Sequence, residues 1–259
     1  MKRIRGYVVC LFVLAMLVVP YRAFAFFGAE IGVGYWQQTP SGYLSYKAQS
    51  ELDQLDLEND MYFDTTNKAF VRARVELPLI LPNIYFMATP MSFEGSGPIS
   101  RTVHFGDQTF TGSAVVESKL KLDHYDLALF YPIPFLKTAT LGILNFDIGL
   151  NARYVDFSGS LTQPSGNIAS TKDRSLYLPM IFAAIQVKPI DLISIEIEAR
   201  GSAAGSNHYY DYIGRLKVSP IPLVFIGAGY RSESLKIDES DVVADIKFAG
   251  PFIEAGLSF

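Results

Sequence analysis

The most constraining feature of this sequence is a strict alternation of apolar and polar side chains in which charged residues recur at every second position. Residues 68–77 and 191–201 show it best. The two faces are Ala69, Val71, Ala73, Val75 and Leu77 against Lys68, Phe70, Arg72, Arg74 and Glu76, then Ile193, Ile195, Ile197 and Ala199 against Ser194, Glu196, Glu198 and Arg200. Successive side chains of a strand point to opposite faces. The core of a soluble β-sandwich cannot hold such charges unpaired, whereas a membrane barrel turns its apolar faces to lipid and its polar faces to the lumen.

Long apolar segments are missing from most of the chain. After Ala25 no apolar run approaches 18 residues without a polar break, which excludes a bundle of membrane helices. The chain is nevertheless 49% hydrophobic and 14% aromatic. Within lipid, only helices and closed barrels satisfy every backbone N–H and C=O group. The sequence therefore predicts an all-β fold, a closed antiparallel transmembrane β-barrel.

Ten segments show the alternating pattern of strands, and the connections between them are short and long by turns along the chain. The segments are residues 28–37, 68–77, 83–93, 115–131, 141–157, 174–188, 191–201, 208–219, 223–233 and 242–259. The short connections are 78–82, 132–139, 189–190 and 220–222, and the longer ones are 38–66, 94–112, 158–173, 202–207 and 234–241, with a mobile tip expected at 159–170. Short periplasmic turns and longer outer loops are typical of outer-membrane barrels. We expect about ten strands, or eight if residues 83–131 divide differently.

The segment 115–131 is longer than the ~9–11 residues that cross a membrane. The face that carries Tyr125 and Tyr131 continues into Asp123, Lys121 and Lys119. Either the strand projects beyond the membrane, or a bulge near Asp123 reverses its faces. We favour projection.

The N-terminal residues have the layout of a secretory signal peptide. A basic segment, residues 2–5, precedes an apolar run at 7–19, and Ala23 and Ala25 form an A-x-A cleavage site. The apolar run is shorter than the roughly 20 residues that a membrane helix needs. We therefore predict cleavage after Ala25.

That cleavage would divide the chain into a signal peptide, residues 1–25, and a single barrel domain, residues 26–259. It removes the only cysteine, Cys10, and four basic residues, which lowers the formal net charge from −4 to −8. The mature chain would then have no disulfide or thiol chemistry. Its acidity argues against nucleic acid as a partner.

The chain ends in an aromatic residue on an alternating strand. Phe259, Leu257 and Ile253 share one face. A terminal aromatic of this kind resembles the signal by which the barrel-assembly machinery recognises outer-membrane proteins. An even number of strands would leave both termini in the periplasm.

Several short motifs spread over most of the mature chain strengthen this interpretation. They are Gly28-x-x-x-Gly32-x-Gly34-x-Trp36, the turn with Glu76-Leu77-Pro78 and Leu81-Pro82-Asn83, Asp123-x-x-Asp126-x-x-Leu129-x-Tyr131, Gly149-x-x-x-Arg153-Tyr154-x-Asp156, and the terminal Phe259. In these motifs the chain resembles a group of small, uncharacterised proteobacterial outer-membrane β-barrel proteins. The resemblance implies a monomeric barrel in the outer membrane, and it implies no activity.

The predicted lumen is strongly charged. The basic members are Arg72, Arg74, Arg153, Arg200, Arg215, Lys217 and Arg231, and the acidic ones are Glu30, Glu76, Asp126, Asp147, Glu196, Glu198, Asp211, Glu233 and Glu254. Because buried charges must be paired and a barrel of this size is just wide enough for side chains to fill, we expect an ion-pair network. The alternative is a narrow, charge-lined channel for small solutes.

Catalytic and metal-binding patterns are weak in this chain. His104, His124 and His208 fall near predicted outer strand ends, and an Asp–His pair there could activate water. Neither of the motifs of the omptin proteases and the lipid A deacylases occurs. The acidic loop 38–66 offers Asp53-x-x-Asp56-x-Glu58-x-Asp60, without the glycine of a calcium-binding EF-hand loop. We expect no catalytic site, no cofactor and no metal.

Aromatic residues near the strand ends predict the girdles of a membrane barrel. They are Tyr35, Trp36, Tyr131, Tyr154, Tyr210, Tyr212 and Tyr230. The expected function is structural or one of surface interaction through loops 38–66, 94–112 and 158–173. The expected partners are outer-membrane lipid, lipopolysaccharide and the barrel-assembly machinery, and the expected state is a monomer.

Overall fold

Extended backbone dominates the computed structural model, which describes residues 28–78, 80–239 and 241–259. The predicted signal peptide, with Ala23 and Ala25, lies outside the described residues. No helix in the described part of the chain is long and apolar enough to cross a membrane.

Fourteen strands and three short helical segments follow one another in the described part of the chain. The strands are β1 (Gly28–Tyr46), β2 (Leu55–Asp56), β3 (Thr66–Glu76), β4 (Asn83–Thr89), β5 (Ser92–Pro98), β6 (Val103–Phe105), β7 (Gln108–Phe110), β8 (Val115–Pro132), β9 (Leu144–Gln163), β10 (Ile168–Ile190), β11 (Ile193–Ala204), β12 (Asn207–Ile221), β13 (Val224–Asp238) and β14 (Val242–Ser258). The helical segments are the single turn α1 (Leu136–Ala139) and two 3₁₀ turns, Glu51–Asp53 and Pro164–Gly166.

The sheet closes on itself. Consecutive strands pair antiparallel from β8 to β14, and β14 pairs with β1 from Glu30↔Ser258 to Tyr46↔Val242. β4 and β5 keep one register against β8, and the ladder is interrupted between them at Pro90, which has no N–H to donate. β4 and β5 therefore count as one strand of the barrel, which they form together with β1, β3 and β8 to β14. The prediction of a closed antiparallel barrel of about ten strands is confirmed.

The faces of the strands are those that the alternation predicts. Glu196 and Glu198 on β11 point inward and are buried, while Ile195 and Ile197 point outward and are 49% and 54% exposed. The outer surface is thus apolar and the inside is polar over this height, the reverse of a soluble protein. An apolar outer band of this kind is compatible only with lipid.

The long strand β8 has no bulge. Its pairing with β9 is unbroken from Glu117↔Thr162 to Pro132↔Asp147. Lys119, Lys121 and Asp123 therefore lie on the same outward face as Tyr125. Of the two alternatives, the structure shows projection of the strand beyond the apolar band.

The two ends of the barrel differ. The turn end holds the connections 77–82, 133–143, 191–192 and 222–223 and both ends of the described chain, and the loop end holds 47–65, 99–114, 164–167, 205–206 and 239–241. The predicted loops 158–173, 202–207 and 234–241 are too long, because the flanking strands continue their ladders almost to the tips. In particular, β9 and β10 pair as far as Gln163↔Ile168. The backbone groups of these Ser- and Gly-containing segments satisfy one another across the hairpin, which requires no apolar side chain.

Candidate functional site

The half of the lumen nearer the turn end holds the charged side chains that the sequence places on inward faces. Every one of them takes part in at least one ion pair: Glu30, Arg72, Arg74, Glu76, Asp126, Asp147, Arg153, Glu196, Glu198, Arg200, Asp211, Arg215, Lys217, Arg231, Glu233 and Glu254. We call this set the lumen network. It has a lower cluster near the turn end and an upper cluster near mid-height.

Arg215 on β12 is the centre of the lower cluster. Its guanidinium contacts Glu196 and Glu254, and it lies 2.8 Å from Glu30. Lys217 also binds Glu30, at 2.6 Å. Because Glu30 belongs to β1 and Glu196 to β11, these bonds join opposite walls of the barrel.

Other members extend the lower cluster. Arg72 on β3 reaches across the lumen to Glu198 on β11 and lies 3.4 Å from Glu254. Arg74 pairs with Asp147 at 2.9 Å and with Glu76 at 3.2 Å. These contacts bring β3 and β9 into the same network.

Arg153 on β9 is the centre of the upper cluster. Its Nε and one terminal nitrogen donate to the two oxygens of Asp126, at 2.8 and 2.9 Å. The guanidinium also lies 2.6 Å from Asp211 and 3.5 Å from Glu233. All four side chains are buried, so each charge depends on its partners.

Arg231 and Arg200 complete the upper cluster. Arg231 donates to Asp211 at 2.9 Å and to Thr89 at 2.9 Å, and it also contacts Glu233. Arg200 joins the two clusters, because it donates to Glu198 at 2.8 Å and to Asp211 at 3.4 Å.

Aromatic rings fill the space beside these guanidinium groups. Arg231 lies 4.6 Å from the ring centroid of Trp36, Arg153 lies 4.6 Å from that of Tyr209, and Arg200 lies 4.7 Å from that of Tyr85. The prediction that Trp36 belongs to an outer girdle is therefore wrong. Trp36 follows Tyr35, which points outward, so the alternation itself sends Trp36 into the lumen, where its Nε1 donates to the carbonyl oxygen of Gly250.

The lumen network closes this part of the barrel. The side chains of Arg153, Asp126, Asp211 and Arg200 are 0% exposed, and that of Glu233 is 1% exposed. Bonds between opposite walls fill the cross-section with protein.

Above the lumen network most of the inward side chains are apolar, and two segments of the loop end fold in among them. We call residues 47–65 and 99–114 the plug. Its buried residues are Asp53, Leu55, Leu57, Met61, Phe63, Ile99, Val103, Phe105 and Phe110. They pack with inward residues of the wall such as Phe93 and Phe248, whose rings stack 5.2 Å apart.

The acidic residues of loop 38–66 stabilise the plug from within. Asp53 accepts hydrogen bonds from the backbone N–H groups of Gln49, Ser50 and His104 at 2.7–2.9 Å. Asp60 pairs with Arg101, at 2.7 and 2.9 Å. Burial raises the pKa of both carboxyl groups, but these donors outweigh it and hold each pKa below its ordinary value of 3.8.

The three histidines do not meet. His104 lies in the plug with Nδ1 3.2 Å from Asp53, and His124 lies beside the lumen network with Nε2 3.1 Å from Glu233. His208 points outward and stacks on Tyr210 at 4.8 Å. Asp211 points inward instead, because it lies an odd number of residues from His208 on the same strand. Among the described residues, no group of three or more His, Cys, Asp or Glu side chains is arranged to hold a metal ion.

The plug leaves one side of the upper lumen open. A cavity of about 370 Å³ lies between β8–β10 and β12–β14, and we call it the upper cavity. Its apolar lining includes Leu44, Leu122, Val155, Phe157, Leu176, Leu178, Tyr209, Leu235, Ile237, Val242, Ala244 and Ile246. The alternation of charged and apolar residues does not predict this cavity, although Leu122 and Leu120, on the inward face of β8 above His124, already show that the lumen becomes apolar there.

Comparisons with known proteins identify the class of fold. The outer-membrane protease OmpT of Escherichia coli superimposes with a TM-score of 0.52 at 13% identity, over 91% of this chain and 96% of that one. Ail, the attachment invasion locus protein of Yersinia pestis, gives a TM-score of 0.39 at 12% identity, over 90% and 99%. The toluene transporter TodX of Pseudomonas putida gives 0.29 at 7% identity, over 88% and 89%. The sequence matches no family model and no curated protein. The fold is that of an outer-membrane β-barrel.

Proposed function

We propose that this protein resides in the outer membrane, with its termini in the periplasm, and acts at the cell surface through its loop end. The closed lumen carries the proposal. The upper cluster of the lumen network bridges opposite walls with fully buried charges, which favours a lumen that the described residues close to small solutes. The plug and the strands that project beyond the apolar band both lie at the loop end, so this end offers the larger surface for contacts.

The outward side chains above the apolar band support contact with lipopolysaccharide. Tyr125, Tyr154 and Tyr177 form a row of neighbouring rings, with centroids 6.3 and 5.0 Å apart. Lys119 and Lys121 continue the same face of β8 beyond this row, where they pair with the exposed carboxylates of Glu94 and Asp156. Aromatic girdles mark the membrane interface, and ammonium groups just above one suit the phosphates of lipopolysaccharide.

Orientation is tested by cysteine labelling on intact cells. The only natural cysteine, Cys10, lies in the predicted signal peptide. Ser165→Cys places a thiol in the exposed turn between β9 and β10, and Thr138→Cys places one in α1 at the turn end. A membrane-impermeant maleimide should label the first variant on intact cells and the second only after lysis. The reverse pattern would overturn the proposed orientation.

Conductance tests the closed lumen. Purified barrels in planar bilayers should show no reproducible single-channel steps at physiological salt. Regular steps would contradict the proposal and favour the channel instead. As a matched control, a variant that lacks the charges of Arg153 and Asp126 tests whether any conductance depends on the lumen network.

A further inference from the structure

The upper cavity is apolar and open to its surroundings. Its walls come from β8, β9 and β10 on one side and β12, β13 and β14 on the other, with the upper end of β11 between them and Leu44 of β1 beside β14. At about 370 Å³ it falls within the roughly 300–1,000 Å³ of small-molecule sites. Leu176, Leu178 and Leu235 remain only partly buried there. Apolar surface left exposed on this scale marks a binding site.

The barrel wall is low beside this cavity. β10 pairs with β9 along its whole length, but it pairs with β11 only from Ile181 to Ile190. The segment Ile168–Met180 of β10 therefore has no ladder partner on that side among the described strands. The hairpin of β11 and β12 turns at 205–206, well below the tip of β10. This step in height leaves a notch in the wall.

A second depression lies on the outer surface below the notch. It also measures about 370 Å³, and its lining includes Ile181, Ala199, Tyr210 and Tyr212. Ser202 and Ala203 line both this groove and the upper cavity. The outer apolar surface and the upper cavity are therefore adjacent at the notch.

Basic side chains stand at the mouth of the upper cavity. Lys172 and Arg174 are on the inward face of β10 and line the cavity. The Nζ of Lys172 lies 5.1 Å from the ring centroid of Tyr46, and no carboxylate among the described residues pairs with it. Arg174 meets one carboxylate, Glu239, at 3.9 Å, where both side chains are more than half exposed. Lys236 also lines the mouth, which therefore favours an anion.

We propose that the upper cavity binds an amphiphile with one hydrocarbon chain and an anionic headgroup, a fatty acid or a monoacyl phospholipid. The chain lies among Leu122, Leu178 and Leu235, and the headgroup lies at Lys172 and Arg174. The notch admits the ligand from the surrounding lipid. Binding does not depend on which side of the membrane the loop end faces, whereas a role at the cell surface rests on the proposed function.

Photocrosslinking tests this site in the folded full-length barrel. A tetradecanoic acid with a diazirine near its methyl end is added to protein in lipid nanodiscs, irradiated, and located by peptide mass spectrometry. Adducts are expected on inward residues of β9, β10 and β13. Leu178→Trp should fill the cavity and reduce those adducts at least about 10-fold, while Leu127→Trp, on the lipid-facing side of β8, should not. A gel-mobility shift on boiling shows that each variant is folded, and Leu235→Trp repeats the test from another wall.

Competition identifies the headgroup. Unlabelled tetradecanoate and a lysophosphatidylglycerol of the same chain length should both displace the probe. The stronger competitor shows whether the natural ligand is a fatty acid or a monoacyl phospholipid. An uncharged monoacylglycerol should compete more weakly, and this difference should disappear when Lys172 and Arg174 are both changed to Gln. Lys137→Gln with Lys188→Gln, two lysines at the turn end, is the matched control.

Adducts confined to outward-facing residues, or unchanged by both cavity-filling variants, would overturn the proposal. Reversed cysteine labelling with intact inward adducts would instead overturn only the proposed orientation. The two failures are therefore distinguishable.

Discussion

Replacing Arg153 by Met should destabilise the barrel by about 3–5 kcal/mol, the usual cost of removing one partner from a buried charge pair. Arg153 is fully buried and contacts three carboxylates, those of Asp126, Asp211 and Glu233. Arg231 continues to neutralise the last two. Asp126 loses the one ion pair that it makes among the described residues and keeps a hydrogen bond from the amide of Asn151 at 2.7 Å. The cost therefore arises mainly from one uncompensated carboxylate.

The partner substitution makes this reasoning testable. Asp126→Asn removes the orphaned charge, so the double variant should recover about 2 kcal/mol relative to Arg153→Met alone. Lys119→Met is the control. Lys119 pairs with Glu94 at 3.4 Å, but the side chains are 59% and 73% exposed. Exposed pairs contribute about 0–1 kcal/mol.

Trp36 provides the assay, because it is the only tryptophan and lies buried against Arg231. Its fluorescence should report urea unfolding of barrels that have been refolded into phospholipid vesicles, with the gel-mobility shift as a second readout. If the free energy of unfolding of Arg153→Met lies within about 0.5 kcal/mol of that of Lys119→Met, the buried ion pairs of Arg153 do not stabilise the barrel. A double variant no more stable than the single one would refute the argument about Asp126.

Two further predictions concern the plug and the wall. The lowered pKa of Asp53 contributes stability above its unfolded value of 3.8, and this is lost as pH falls through the folded pKa. A dye attached through Leu52→Cys should therefore report opening of the plug on acidification. Asp53→Asn should open the plug at neutral pH. A dye signal that neither acidification nor Asp53→Asn changes would contradict the role of Asp53 in holding the plug. Gly149→Ala should reduce the folded fraction, because a Cβ at this position collides with the carbonyl oxygen of Leu129 and lies 2.6 Å from Cα of Phe130. Gly214→Ala is the control: a Cβ at position 214 meets no heavy atom within 4 Å, so this variant should leave the gel shift unchanged.

Lipid explains why the wall of this barrel could be predicted from its sequence. A strand that faces hydrocarbon on one side must be apolar at every second residue, so Ile195 and Ile197 locate Glu196 and Glu198 without any knowledge of contacts. The pairing partners could not be predicted in the same way. Arg72 meets Glu198 across the lumen although 126 residues separate them, and such contacts depend on the shear and closure of the whole barrel.

The structure of the loop end could not be predicted in this way, because the polarity of the inward and outward strand faces reverses there. On β8, Lys119 and Lys121 point outward while Leu120 and Leu122 point inward. On β14 the same change occurs, with Lys247 outward and Phe248 inward. Where the strands leave the apolar band, the outward face changes from apolar to polar and the inward face changes from polar to apolar. Above that height the barrel is built like a soluble protein, with an apolar core that needs packing.

The upper cavity follows from this reversal. Plug residues such as Leu57 and Met61 supply the packing beside β1 and β5, but no plug residue lines the cavity, which lies between the strands on the other side. Protein cores are otherwise packed about as densely as organic crystals, at ~0.74–0.76 of their volume. A gap of about 370 Å³ bordered by leucines, below Lys172 and Arg174, is therefore a part of the core that the chain does not fill itself. An amphiphile from the surrounding lipid has the chemistry to complete it.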